Sequence, residues 1–132
     1  MMWGCKIPEI PENKASPRIE NGVLYWTEGD TFTYCMDFKI VDQDCQPITL
    51  DGARDTITVS FLNRKNELVK TFLFGKEADT DILNNSVSLS FDEACSKLFV
   101  KSTPDAEPYY YSVLLDGDEK TTLVKYAPCV VE

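Results

Sequence analysis

From Phe32 to Ile40 the chain alternates, with Phe32, Tyr34, Met36, Phe38 and Ile40 on every second residue and mostly polar residues between them. A period of two buries one face and wets the other, which is the signature of a half-buried β-strand. Asp42, Gln43, Asp44 and Pro47 then give a turn composition, followed by a short apolar return at Ile48 and Leu50. The same alternation recurs over residues 55–62, where Ile57, Val59 and Phe61 are the apolar members, and over 86–91, where Val87, Leu89 and Phe91 alternate with serines only. These eleven residues, Phe32 to Ile40 and the two later triplets, are the predicted core.

The remaining elements follow from turn chemistry. Val23–Trp26 is a short apolar segment after Asn21-Gly22, and Glu28-Gly29-Asp30 separates it from the long strand. A polar turn at 63–67 joins 55–62 to 68–74 as a hairpin, and 75–85 reads as an acidic loop. Residues 92–98 form the one credible helix, with Asp92 as its cap and Glu93 suited to the positive end. After a loop bracketed by Pro104 and Pro108, segments 109–115 and 121–126 flank an Asp116-Gly117 turn as a second hairpin, and 129–131 closes the chain.

The pattern predicts an all-β fold: an antiparallel, immunoglobulin-like β-sandwich of seven to nine short strands with one short helix. A small barrel is the alternative. The cysteine–tryptophan–cysteine spacing of antibody domains is missing, so only the architecture is implied. Residues 18–132 form the single domain expected of a 132-residue chain. Residues 1–17 hold Pro8, Pro11 and Pro17 and no periodicity, and read as a proline-rich arm that Trp3 and Ile7 could pin to the domain or a neighbour.

Composition removes several function classes. The net charge of −9, with 13 basic residues scattered among 22 acidic ones, excludes a nucleic-acid partner. No run approaches the roughly 18–20 apolar residues that span a bilayer, so no membrane partner is expected. The N-terminus lacks the apolar stretch of a secretory signal, and a cytoplasmic protein is expected. The five cysteines, Cys5, Cys35, Cys45, Cys95 and Cys129, show no C-x-x-C pair and are expected to be free thiols.

Chemistry is conspicuous by its missing parts. The chain has no histidine, which removes Ser-His-Asp and Cys-His nucleophile activation. No glycine-rich phosphate loop occurs. Asp42 with Asp44, and Asp116 with Asp118, are turn aspartates and not carboxylates converging across a cleft. A calcium loop of EF-hand type starting at Asp42 would need glycine and glutamate where Pro47 and Ala53 stand. No catalytic, cofactor or metal site is therefore expected. The aromatic set Trp26, Tyr109, Tyr110 and Tyr111, with Trp3 in the arm, is the candidate interface or glycan-stacking surface, because exposed rings stack on sugars and anchor interfaces. Half-buried sheet aromatics with wet hydroxyls are the structural alternative.

Taken in order, these elements resemble the immunoglobulin-like N-terminal domain of baseplate upper proteins, found in phages of Gram-positive and gut Firmicutes hosts. The resemblance rests on Gly29-Asp30-Thr31 before the alternating strand and on the turn Asp42-Gln43-Asp44-Cys45-Gln46-Pro47 with its return Ile48-Thr49-Leu50. The helical stretch 92–98, Tyr109-x-Tyr111-x-Val113 and the terminal hairpin through Val131 complete it, over roughly residues 20–131. Cys45 replaces the family's turn glycine, and Glu107-Pro108 stands where it has Pro-Gly. The resemblance implies a non-enzymatic structural module of a phage or prophage tail or baseplate. Its partners would be other tail subunits or a second copy of itself, and it would be cytoplasmic until assembled into a virion. A carbohydrate-binding or adhesion module using the exposed aromatics is the competing class, and a glycoside-cleaving enzyme the third.

Overall fold

The computed structural model describes residues 17–76, 78, 80–102, 109–117 and 120–132. The expected arm, with Trp3, Ile7 and Cys5, lies outside the described residues except for Pro17, and so does Asp118.

Among the described residues eight strands and one helical turn make an all-β sandwich: β1 (Arg18–Glu20), β2 (Val23–Trp26), β3 (Phe32–Asp37), β4 (Thr56–Leu62), β5 (Leu68–Gly75), β6 (Ser86–Phe91), α1 (Glu93–Ser96), β7 (Tyr109–Asp116) and β8 (Lys120–Val131). One sheet has the order β1-β2-β8-β7-β4-β5, and the other is the pair β3-β6. In immunoglobulin terms β8, β7, β4 and β5 occupy the places of strands G, F, C and C′, and β3 and β6 those of B and E. The period-two segments dictate this arrangement, since each presents one apolar face and the two sheets bury those faces against each other.

One expectation needs correction. The sheets are not wholly antiparallel, because β2 runs parallel to β8 with Leu24, Tyr25 and Trp26 opposite Cys129, Val130 and Val131. Hairpins force antiparallel pairing only between sequence neighbours, and these two strands are separated by almost the whole domain. Asn21 and Gly22, at φ 52° and 79°, make the two-residue turn that adds β1 as an edge strand.

Two strands also differ in extent. The alternating segment leaves its ladder after Asp37, because β6 begins opposite at Ser86; Phe38 N–H donates instead to Asn85 O at 2.9 Å. The segments 121–126 and 129–131 form one strand, β8. Tyr126 at φ 49° bends it where the register against β7 shifts, and its N–H donates to Ser112 Oγ at 3.1 Å. α1 is a single turn, capped as expected by Asp92, whose carboxylate accepts from Cys95 N–H at 2.8 Å.

The core centres on Trp26, with ring centroids of Phe32, Phe61, Phe91 and Phe99 at 5.2–6.2 Å. Met36, Ile57, Val59, Phe61, Val87, Leu89 and Phe91 are buried as expected. Phe32, Tyr34, Phe38 and Ile40 are only half-buried against that core, because the sheet holding β3 has two strands and covers them incompletely. Among the described residues no helix is long and apolar enough to cross a membrane.

Candidate functional site

Two of the rings expected on an aromatic surface, Trp26 and Tyr111, are buried instead. Trp26 is 1% exposed at the centre of the core, and Tyr111 is buried beside Phe61, their rings 5.8 Å apart. Burial pushes the Tyr111 hydroxyl up to about 12. Alternation along β7 turns Tyr109 and Tyr111 inward and Tyr110 outward, opposite Leu62 and Pro128, where it is half-buried. Tyr109 packs edge-on against Phe99, and its hydroxyl accepts from Val100 N–H at 3.0 Å. The position is similar to that of the tyrosine corner of immunoglobulin sandwiches, a Tyr at the start of strand F bonded to upstream backbone, although here the amide bonded lies nine residues upstream. Tyr111, two residues on, stands where antibody domains place a disulfide cysteine. Trp26, Tyr109 and Tyr111 therefore help hold the sandwich together, Tyr110 faces outward half-buried, and Trp3 lies outside the described residues.

The thiols and carboxylates follow the same logic. Cys35 and Cys45 are exposed and Cys95 and Cys129 buried, all four free. Burial raises the pKa of both inner thiols, which keeps them protonated and unreactive. Asp42 folds back on its own turn, where its carboxylate accepts from Asp44 N–H at 2.8 Å and Gln46 N–H at 2.9 Å. No group of three or more metal-ligating side chains occurs among the described residues.

The structure instead assembles a site from loops at the end of the sandwich where β4 begins. In antibody variable domains the B–C and F–G loops of one end make the recognition surface. Here the B–C equivalent runs over residues 38–55, or 18 residues, longer than a simple connection requires. It is built on its own hydrogen bonds. Ile48 N–H donates to Ile40 O at 2.8 Å and Asp42 N–H to Gln46 O at 2.9 Å, closing a small projecting hairpin whose tip holds Cys45 at φ 61°. Asn85 clamps its return limb, donating to Ile48 O at 2.7 Å and accepting from Leu50 N–H at 2.6 Å.

Asp55 ties the end together. It is 4% exposed, and its carboxylate accepts from Asp51 N–H at 2.9 Å and from Arg54 Nε and Nη2 at 3.1 and 2.9 Å. The Arg54 guanidinium holds the Asp55 carboxyl below its ordinary value; burial opposes this, and the Asp51 amide assists it. Asp55 O accepts from Lys76 N–H at 3.0 Å. A side chain on Gly75 would meet that carbonyl at 2.1 Å, and one on Gly117 would meet the Asp55 carboxylate at 2.3 Å. Residues from three connections thus meet at Asp55, at its carboxylate or its backbone carbonyl.

Against this base lies an open groove of about 690 Å³. Its floor is Ile40, Ile48, Leu50 and Leu115, and Val41 and Asp44 are on its lip. The sequence placed Ile40 in the core and read 42–47 as a turn, with Ile48 and Leu50 as its short apolar return. The length of the 38–55 connection is the signal that pointed here. Among the described residues the groove offers shape and charge, with no group of three or more metal-ligating side chains. No family model, curated protein or solved structure matches this chain.

Proposed function

We propose that this chain is a non-enzymatic structural and interaction module, a tail or baseplate component of a phage or prophage that docks to a neighbouring subunit. The observation that carries the interaction reading is the preorganised loop end, where an 18-residue connection is fixed by its own hydrogen bonds around buried Asp55. A rigid loop surface loses little entropy on docking, which is what a protein-binding site needs. The resemblance to baseplate upper proteins supports the particle context, through Gly29-Asp30-Thr31, the 42–47 turn and the tyrosine strand. The burial of Trp26 and Tyr111 removes two of the rings considered for a glycan-stacking surface and leaves Tyr110 facing outward.

Co-expression with the products of the flanking genes tests the proposal, with size-exclusion chromatography and light scattering as the readout. A stable complex of defined stoichiometry with a tail or baseplate protein is the expected result. A chain that stays monomeric beside every neighbouring product, or neighbours unrelated to phage particles, overturns it.

A further inference from the structure

We infer that the groove at the loop end takes an extended segment of the partner protein that sets an apolar side chain beside a lysine or arginine. The inference rests on the interaction-module reading and names the chemistry of its partner.

Size and lining come first. A volume of about 690 Å³ lies within the range of roughly 300–1,000 Å³ that binding clefts occupy. Ile40, Ile48, Leu50 and Leu115 give it an apolar floor, and Val41 stands at the lip 57% exposed. An exposed β-branched side chain on a hydrogen-bonded hairpin, next to an apolar cavity, gains by being covered.

Charge then selects the occupant. Asp42 and Asp44 border the groove. Asp42 directs one carboxylate oxygen at its own turn amides. Arg54, a cation in the lining, is held on Asp55 through Nε and Nη2. Among the described residues that line the groove, three acids, Asp42, Asp44 and Asp55, stand against one base, Arg54. An acidic segment or a polyanion is repelled from such a rim, whereas a basic one is steered to it.

The test uses short synthetic peptides with alternating Leu-Lys, Ser-Lys and Leu-Glu sequences. They are titrated into the isotopically labelled chain, with amide chemical shifts as the readout. The Leu-Lys peptide should shift residues 40–50 and 115–121 and bind at least about tenfold more tightly than the other two. The double variant Val41→Ser, Asp44→Asn should weaken it about tenfold while leaving the melting temperature unchanged, because both side chains are exposed. Equal binding of Leu-Lys and Ser-Lys peptides, shifts confined to another surface, or an unaffected double variant each overturn the inference. The same variant separates this failure from that of the parent reading. A complex with a flanking gene product that tolerates both substitutions keeps the interaction module and rejects the groove. A groove that binds the Leu-Lys peptide in a chain without tail partners does the reverse.

Discussion

Trp26→Ala separates a structural tryptophan from a ligand-stacking one. The side chain is 1% exposed, and four phenylalanine rings surround it at 5.2–6.2 Å, two of them edge-on at interplanar angles of 88° and 89°. Truncation removes the transfer free energy of the indole and leaves a cavity between the two sheets, for an expected loss of about 3–5 kcal/mol. A domain of this size has about 7–20 kcal/mol in total, so the variant should fold and be measurable. Urea unfolding followed by far-ultraviolet circular dichroism gives the number. With a slope of about 1–3 kcal/mol per M, the midpoint should fall by more than about 1 M at unchanged slope. A loss below about 1 kcal/mol, the size of a surface change, would refute the central packing of Trp26 and return it to the surface.

Further outcomes follow from the same geometry. Tyr109→Phe removes the acceptor of Val100 N–H and should cost about 1 kcal/mol by the same urea assay; a neutral result would mean the corner bond contributes nothing. Because the Asp55 carboxyl is held below its ordinary value of 3.8, its contribution to stability is present above that value and lost as pH falls through the depressed one. Asp55→Asn should therefore lower stability at neutral pH and flatten the acid limb of the stability curve. Cys45 occupies the left-handed region at φ 61°, so Cys45→Gly should raise stability by about 0.5–1 kcal/mol, and a loss would show that the thiol packs in a way its exposure does not suggest. In the native protein Cys35 and Cys45 should react with a thiol reagent at once and Cys95 and Cys129 only on unfolding; fast native labelling of either inner thiol would contradict their burial.

Local periodicity made much of the fold legible. Three segments with alternating apolar residues lie in β3, β4 and β6, and their apolar faces meet in the core. Turn residues placed the hairpin at 63–67 and the Asp92 cap, because those interactions span only a few residues. A pattern of this kind reports which face of a strand is apolar, and says nothing about what lies opposite it.

What lies opposite was decided by tertiary structure. Trp26 and the tyrosines are chemically suited to both a core and a binding surface. Their position beneath the second sheet, fixed by the long-range pairing of β2 with β8 and of β4 with β7, made Trp26 and Tyr111 core. The parallel direction of β2 against β8 has no local signal at all. The groove is likewise a product of distance along the chain, since Ile40 in the 38–55 connection and Leu115 near the end of β7, some 75 residues apart, both line it. Short-range physical chemistry therefore specified the strands of this protein, and the packing of remote segments specified which of their side chains a partner can reach.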